Sequence, residues 1–250
     1  MATPATLTPV GYLQFENGGL YATKSPGLTS QFSLNQVAKL TVSKRLQLFS
    51  SWEPYAYSSD TGDGSPPSQA GGFAFGAQAV VFEEAKVRPT VALSYLRSLY
   101  GGNAPGLDMG GAFQTGILLV SSDFGRVHMD LNGLVSEQTG NGIRRAQYGQ
   151  AFSLARTVGR YTVSAELWHF TQPFLRGNTV GNLWGLSYAV QPNLIFDAGF
   201  NRGLTSTSTQ WETFAGFTYV LPRRLWKVRN NKCGRCGLRL ICNSKAVLDC

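Results

Sequence analysis

Four cysteines close to the end of the chain are the residues whose chemistry is easiest to name. Cys233 and Cys236 form a C-x2-C pair, which is half of a zinc-binding or redox motif. Cys242 and Cys250 follow farther along, and they do not form the second close pair that a structural zinc site needs. The spacing favours a tail without a metal site, with a zinc or redox role as the alternative, and we predict no cofactor.

A second group of reactive residue types lies in the middle of the chain. His128 and Asp130 are two positions apart, and Ser136 follows on the same segment. A histidine with an acid and a serine is the residue set of nucleophilic hydrolysis. The chain has no G-x-S-x-G sequence to hold such a serine on a sharp turn, so we predict no catalytic residue. The same side chains are typical of the polar interior of a β-barrel.

The segments that carry these residues have a period of two. Odd-numbered residues from Val127 to Val135 are mostly apolar, and the even-numbered residues between them are mostly polar. Since successive side chains of a strand point to opposite faces, this pattern predicts a strand with one apolar and one polar face. Similar alternation is found in residues 32–42, 161–168, 194–201 and 210–221. No comparable helical period occurs in the first 226 residues.

The links between these segments also alternate in length. Short, mostly charged turns are predicted at residues 43–45, 83–88, 123–126, 157–160 and 191–193. Generally longer links, rich in Gly, Pro, Ser, Thr and Asn, are predicted at residues 16–28, 58–72, 100–112, 139–144, 171–179 and 203–209. With a weak opening strand from Val10 to Phe15, the pattern predicts about 12 strands. We therefore predict an all-β, antiparallel, up-and-down transmembrane barrel with both termini at the rim of short turns.

Composition favours a membrane barrel over the alternative, a soluble barrel or sandwich. Only 14% of the residues are charged, whereas a soluble domain carries about 25%. The apolar face has Tyr or Trp near many predicted strand ends, where aromatic rings suit a bilayer interface. The formal net charge is +8, but residues 227–250 contain six basic groups and one acid. The basic excess is mostly in this tail, and we predict no nucleic-acid partner.

The polar face of a membrane barrel lines its lumen, so its ionic and amide side chains are candidates for solute selection. The lumen candidates are His128, Asp130, Glu166, Asp197, Asn201 and Arg202, and the candidates at the loop mouth are Pro173, Phe174 and Leu175. In an open lumen the acids would disfavour anions. In a plugged lumen they would pair with bases such as Arg97 and Arg202, which are expected near the outer rim.

Several stretches resemble a known family. They are N-Q-V at residues 35–37 with K-L-T-V at 39–42, W-H-F-T-Q-P at 168–173, D-x-G-x-N-x-G-L at 197–204 and F-A-G-F-T-Y at 214–219. These stretches are similar to Gram-negative outer-membrane transporters and to the meta-pathway phenol-degradation family, and the resemblance covers residues 10–226. It implies an outer-membrane β-barrel that acts as an uptake channel for small hydrophobic or aromatic compounds.

The chain thus divides into an N-terminal segment (1–9), a barrel (10–226) and a basic, cysteine-rich tail (227–250). The first residues show no signal peptide, although a bacterial outer-membrane protein needs an export route, so we expect the native start to be missing. Trp226 is expected to close the last strand, which would leave the tail non-native or disordered and dispensable.

The expected partners are outer-membrane lipid and a small-molecule solute, and the oligomeric state is left open. Two other functions are the alternatives to a channel. One is a barrel that serves as a surface scaffold, and the other, less favoured, is an enzyme that modifies outer-membrane lipids. Conductance or solute uptake in reconstituted vesicles separates a channel from both.

Overall fold

A computed structural model describes residues 2–59, 67–85, 88–108, 112–140, 142–175 and 177–226 of the chain. The cysteines and the proposed dispensable tail lie outside these residues. Within the described ranges the regular structure is β-strand, and no helix is long and apolar enough to cross a membrane.

The described residues form thirteen strands. In chain order they are β1 (Leu13–Ser25), β2 (Leu28–Ser43), β3 (Leu46–Ser59), β4 (Ser68–Gln69), β5 (Phe73–Phe82), β6 (Thr90–Tyr100), β7 (Ala112–Phe124), β8 (Val127–Gly140), β9 (Ile143–Val158), β10 (Tyr161–Phe170), β11 (Thr179–Gln191), β12 (Leu194–Gly203) and β13 (Trp211–Val220). Twelve of them are 10 to 16 residues long, and the two-residue β4 adds only to β3.

The twelve long strands close into a barrel by antiparallel pairing of chain neighbours. Each strand from β5 to β13 pairs with the long strand before and after it, and β2 pairs with β1 and β3. Closure comes from β1 and β13, where Gln14 lies opposite Val220 and Thr23 lies opposite Trp211. The predicted fold class and the strand number are confirmed.

The barrel has two different rims. The lower rim carries the links 44–45, 83–89, 125–126, 159–160 and 192–193, and both the start of β1 and the end of β13 lie there. The upper rim carries the links 26–27, 60–72, 101–111, 141–142, 171–178 and 204–210. Short turns on one side and several long loops on the other are the arrangement of outer-membrane barrels, in which the long loops face the outside of the cell.

Side chains alternate between the two surfaces of the wall as the sequence predicts. On β8, Leu131 is 47% exposed on the outer surface, whereas Asn132 is 5% exposed and faces the lumen. The buried side chains are largely Gln, Ser, Thr and Asn, and many of the exposed ones are Leu, Phe, Tyr and Trp. This distribution is the reverse of that of a soluble domain, and it gives the barrel the apolar outer surface that a bilayer covers.

Strand β1 differs from its prediction. It extends to Ser25, and the predicted loop at residues 16–28 is reduced to the two-residue turn 26–27. Gly18 and Gly19 suggested a loop, yet Gly18 lies opposite Gly216 in β13. A Cβ atom at Gly18 would lie 3.3 Å from the carbonyl oxygen of Ala215, so glycine permits close approach of the two closing strands.

The expectation that Trp226 closes the last strand is wrong. β13 ends at Val220, and Leu221 adds one hydrogen bond to the carbonyl oxygen of Leu13 at 2.9 Å. Pro222 has no N–H to continue the ladder. The chain then folds under the lower rim, where the N–H of Leu225 donates to the carbonyl oxygen of Gly11 at 2.8 Å.

Candidate functional site in the barrel lumen

Residues 2–9 enter the barrel from the lower rim and run up its inside; we call them the lumen segment. At the lower end, Thr8 is bound by two strands. Its N–H and hydroxyl donate to Oε1 of Gln47 at 3.1 and 2.9 Å, and its hydroxyl lies 2.6 Å from that of Thr41. Thr41 and Gln47 are 1% and 3% exposed, so these hydrogen bonds satisfy buried polar groups of the wall.

Farther along the lumen segment, Ala5 lies against β5 and β7, the two strands that flank β6. Its N–H donates to Oγ of Ser121 at 2.8 Å, and Nε2 of Gln78 donates to the carbonyl oxygens of Pro4 and Ala5 at 3.0 and 3.1 Å. The methyl group of Ala5 is buried in a small apolar cluster with Val80, Ala92 and Leu119, against which Leu7 and Ile117 also pack. The segment therefore has both hydrogen bonds and apolar contacts within the lumen.

The top of the lumen segment reaches the middle of β10. The N–H of Ala2 donates to Oε2 of Glu166 at 2.7 Å. Ala2 also packs against a second apolar cluster, which consists of Leu134, Ala151, Trp168 and Phe170. Residues 1–9 are predicted as a separate segment without a role, because a short stretch of Ala, Thr and Pro has no periodic pattern that would show where it lies.

Above this point the lumen is narrowed by side chains of the wall itself. Trp168 and Phe170 project inward from β10, with ring centroids 5.5 Å apart. They lie directly over two glycines of the neighbouring strands, because a Cβ atom at Gly181 would overlap Trp168 and one at Gly149 would overlap Phe170. The indole N–H of Trp168 donates to Oδ1 of Asn201 at 2.8 Å.

The upper mouth is covered in part by the loop between β6 and β7. Oδ1 of Asp108 accepts the N–H of Thr209 at 2.8 Å, and its backbone carbonyl accepts Nε2 of Gln172 at 2.5 Å. The other carboxylate oxygen, Oδ2, is buried and has no hydrogen-bond partner among the described residues. Burial raises the pKa of the Asp108 carboxyl, and the hydrogen bonds from Thr209 only partly oppose this shift.

Asp130 is placed inside the barrel as predicted, and it is connected to the lumen segment. Ser121 donates its hydroxyl to Oδ1 of Asp130 at 2.5 Å while accepting the N–H of Ala5. His128 lies between two carboxylates, with Nε2 3.1 Å from Asp130 and Nδ1 2.5 Å from Asp123. These contacts form a continuous polar connection from the lower rim to the lumen segment.

The structure does not bring His128, Asp130 and Ser136 together as a hydrolytic site would require. The hydroxyl of Ser136 lies 2.9 Å from that of Thr115, near the upper end of β8, whereas His128 lies near its lower end. Ser121 and Ser153 contact Asp130, and the Ser121 hydroxyl is engaged by that carboxylate and by the lumen segment. Among the described residues, none of these three serines has the histidine hydrogen bond that activates a nucleophile.

The other predicted lumen acids and Asn201 also face inward. Glu166 binds the top of the lumen segment, and Asp197 is half-buried on β12. Asn201 is 4% exposed and lies between two partners, because it accepts from Trp168 and donates through Nδ2 to Oε2 of Glu212 at 2.8 Å. Glu212 was not predicted, although it lies on the polar face of residues 210–221 and the alternation could have identified it.

The prediction that Arg202 and Arg97 belong to the lumen is wrong. Arg202 follows Asn201 and therefore points outward, where its guanidinium lies 4.5 Å from the Trp211 ring centroid and donates to Oε1 of Gln210 at 3.1 Å. Arg97 is outward on β6, with its guanidinium 4.6 Å from the ring centroid of Phe113. The prediction assigned both charges to the lumen because they lie near strand ends. The two-residue period places both arginines on the outer surface.

The predicted mouth residues lie on the upper loop after β10. Phe174 and Leu175 are exposed, at 40% and 51%, and the guanidinium of Arg145 lies 5.1 Å from the Phe174 ring centroid. The same guanidinium donates to the carbonyl oxygen of Pro173 at 2.6 Å. The loop is thus held at the upper rim by an arginine of β9.

The charges inside the described barrel wall are mainly negative. The inward-facing carboxylates are Glu16, Glu53, Asp130, Glu166, Asp197 and Glu212. Lys39 offsets one of them, because its Nζ lies 2.5 Å from Oε1 of Glu16. Within the described ranges no group of three His, Cys, Asp or Glu side chains is arranged to hold a metal ion, and the four tail cysteines fall outside those ranges.

Comparison with known proteins gives the fold. No protein-family model matches the chain, and neither does any curated protein. An outer-membrane channel from Pseudomonas putida F1 is similar in structure, with a TM-score of 0.66 and 14% identity over 88% of this chain and all 100% of that chain.

Two porins are similar as well. The KdgM porin has a TM-score of 0.55 and 12% identity over 82% of this chain and 98% of its own. The NanC porin has a TM-score of 0.55 and 8% identity over 83% of this chain and 98% of its own. Together with the apolar outer surface and the polar lumen, these likenesses show that the chain is built as a bacterial outer-membrane β-barrel.

Proposed function

We propose that this protein is an outer-membrane channel for small solutes. The observation that carries the proposal is a closed barrel with an apolar outer surface and a lumen lined by buried Gln, Ser, Thr, Asn and carboxylate side chains. Polar groups along the lumen would contact a solute that crosses the barrel. The structural similarity to a channel and two porins supports the same function.

Selection in such a channel would depend on width and charge. The lumen segment occupies the lower lumen, and Trp168 with Phe170 narrows the lumen above it. The inward carboxylates act between low-dielectric walls, where their field is concentrated. We therefore propose that the channel favours cations over anions and admits only solutes small enough to pass the aromatic pair.

We further propose that the solutes are small hydrophobic or aromatic compounds. The resemblance to the meta-pathway phenol-degradation family implies this class. The aromatic pair in the upper lumen and the exposed Phe174 and Leu175 at the mouth offer apolar contacts along the path. Polar side chains around them, such as Asn201, would orient a hydroxyl group of the solute.

The test is electrical. Wild-type protein and the triple variant D130N/E166Q/D197N are inserted into planar bilayers under a salt gradient, and the reversal potential is measured. We expect the variant to have a weaker cation preference, because three of the six inward carboxylates lose their charge. The control is the pair E83Q/E84Q on the lower rim, which removes acids outside the barrel and should leave the reversal potential unchanged.

Thermal unfolding of the same variants separates selectivity from stability. A large loss of stability in the triple variant, without measurable conductance in either protein, would exclude the channel.

The filled lumen favours one other function, a barrel without transport that serves as a surface scaffold. That function predicts no conductance in wild-type protein and none after removal of the lumen segment. We propose no catalytic role, because the lumen groups described above do not form a nucleophile with its base.

A further inference from the structure

A cluster of charged and aromatic side chains lies on the outer surface of the barrel at its upper rim. It consists of Arg97 on β6, Phe113 and Gln114 on β7, Glu137 on β8 and Arg144 on β9, and we call it the rim cluster. None of these residues lines the lumen wall described above, so the proposed channel function does not use them.

A break in strand register builds the cluster. The pairing of β7 with β8 shifts between Ala112 and Gln114, which leaves Phe113 without a partner in the ladder. The guanidinium carbons of Arg97 and Arg144 lie 4.6 and 5.0 Å from the Phe113 ring centroid. The two cations are therefore less than 10 Å apart, although β7 and β8 lie between their strands.

A network of side-chain hydrogen bonds runs across the rim cluster and ends at Arg144. The hydroxyl of Tyr95 donates to Oε1 of Gln114 at 2.9 Å, and Nε2 of Gln114 donates to Oε2 of Glu137 at 2.6 Å. The other oxygen of Glu137 accepts Nη1 of Arg144 at 3.0 Å.

Glu137 thus neutralises Arg144 in part, whereas Arg97 makes no ion pair with a carboxylate of the described residues. The rim cluster has two cations and one anion, which leaves one positive charge. Both guanidinium groups are exposed, with 63% of the Arg144 side chain accessible. An exposed guanidinium retains N–H donors that can bind both oxygens of an anionic group.

The height of the cluster on the barrel indicates what the anion is. Tyr95 and Tyr148 mark the upper part of the apolar outer surface, at 47% and 52% exposure. Arg97 lies between Tyr95 and Tyr100, which is 52% exposed, and Arg144 lies beyond Tyr148 toward the upper rim. Tyrosines in such barrels mark the boundary of the hydrocarbon core, so the arginines lie at the level of lipid headgroups.

Arg202 provides a contrast at the same rim. Its Nη1 donates to both the carbonyl oxygen and Oε1 of Gln210, at 3.0 and 3.1 Å, so two neutral oxygens already engage that nitrogen. Within the described part of the chain, the Arg97 guanidinium contacts the Phe113 ring and makes no side-chain hydrogen bond or ion pair.

We propose that the rim cluster binds a phosphate group of a phosphorylated glycolipid in the outer leaflet, with Arg97 and Arg144 as the two ligands of the phosphate. Arginine binds phosphate oxygens in pairs, and the aromatic ring keeps both guanidinium groups spread on the surface. The site rests on the proposed outer-membrane location with the upper rim outside. It adds to the proposed function a lipid contact that is independent of the lumen.

The probe is lipid A that carries both of its phosphates, compared with dephosphorylated lipid A. Full-length protein in detergent is incubated with each lipid, and the bound lipid is quantified by native mass spectrometry. We expect wild-type protein to retain the phosphorylated form. R97Q should retain about fivefold less, and R97Q/R144Q about 25-fold less, since each arginine near a charged lipid surface contributes about 1 kcal/mol.

The control is R88Q at the lower rim, which removes an arginine 5.7 Å from the exposed ring of Phe82 without touching the rim cluster. It should bind lipid A as the wild type does. Heat-modifiable gel mobility confirms that each variant folds. Equal retention of lipid A by R97Q/R144Q and wild type would overturn the proposal, and so would equal retention of the dephosphorylated lipid.

If the double variant instead changes the oligomeric state and binds lipid A normally, the rim cluster is a contact between copies of the chain and the proposal is wrong. Bilayer conductance is measured in parallel. Unchanged conductance in R97Q/R144Q with loss of lipid A supports the lipid site. Absence of conductance in all proteins refutes the channel while leaving the result on lipid binding intact.

Discussion

The lower and upper halves of the lumen are narrowed in different ways. In the lower half, the lumen segment is a separate piece of chain that is attached to the wall by hydrogen bonds to Gln47, Ser121 and Gln78. In the upper half, Trp168 and Phe170 belong to the wall and lie over glycines of the adjacent strands. The lumen segment can leave the lumen without breaking the barrel, because only hydrogen bonds and apolar contacts attach it. Trp168 and Phe170 cannot leave, because they belong to a strand of the wall.

The largest effect is expected from removing the obstruction of the lower half. Deletion of residues 2–9 should raise single-channel conductance roughly two- to fivefold, because a 12-strand barrel is wider than the 8-strand barrels that side chains fill. The aromatic pair should still limit the conductance, so adding W168A/F170A should raise it again. Planar bilayers give both values.

W168A/F170A with the lumen segment intact is the control for that experiment. It should change conductance much less than the deletion does. If the aromatic variant alone gives the larger increase in conductance, the aromatic pair and not the lumen segment is the main obstruction.

The next largest effect concerns the support of the upper half. In G181A the new methyl group would overlap Trp168 and approach the carbonyl oxygen of Arg202 at 2.8 Å. We expect a loss of about 1–3 kcal/mol in the free energy of unfolding, which is the usual cost of overpacking. Urea unfolding followed by gel mobility measures it.

G133A serves as the matched control, since no atom lies within 4 Å of a Cβ at Gly133. Both glycines lie within strands, so their differences in backbone entropy cancel. An equal loss of stability in the two variants would show that Trp168 is not supported by Gly181.

A smaller effect is expected at the attachment of the lower half. S121A removes the acceptor of the Ala5 N–H and the donor to Asp130, although His128 and Ser153 still contact that carboxylate. The lumen segment should detach more easily by about 1–2 kcal/mol, the cost of leaving a buried polar group unsatisfied.

The measurement is the rate at which a thiol reagent labels A5C in protein whose four tail cysteines are changed to Ser, and it should rise in A5C/S121A. T115A, which breaks a hydroxyl pair between β7 and β8, is the control and should leave the labelling rate unchanged. Identical rates in all three backgrounds would mean that Ser121 does not hold the segment.

The smallest effect is expected at the upper mouth. The pKa of the Asp108 carboxyl is raised by burial, so its ionisation opposes folding once the pH exceeds the ordinary value of about 3.9. D108N keeps an oxygen to accept the N–H of Thr209 and loses the charge. It should raise the thermal unfolding temperature slightly at pH 7, and this gain should disappear as the pH falls toward 4.

D123N on the lower rim is a useful comparison for D108N, because Asp123 is half-exposed and engages His128. It should not stabilise the barrel at neutral pH. A stabilisation by D108N that persists unchanged at low pH would show that the charge of Asp108 is not the cause.

Much of the wall follows from the sequence alone. The alternation on β8 correctly placed Leu131 outside and Asn132, Asp130 and His128 inside, because a strand offers only two faces and one of them must meet lipid. The same rule, applied strictly, would have placed Arg202 outside and Glu212 inside. The prediction failed at Arg202 because a charge near the rim was assigned to the lumen, whereas Glu212 lies on the predicted polar face but was not among the candidates.

Only the tertiary structure determined the features that depend on contacts between distant strands. Gly18 lies in a strand where β13 approaches it closely, and that closeness is fixed only when the barrel closes. The position of the lumen segment depends on Thr41, Gln47, Gln78, Ser121 and Glu166, which lie on five different strands. A short, aperiodic segment carries no local signal for such partners, because hydrogen bonds to distant side chains exist only after the wall that presents them has formed.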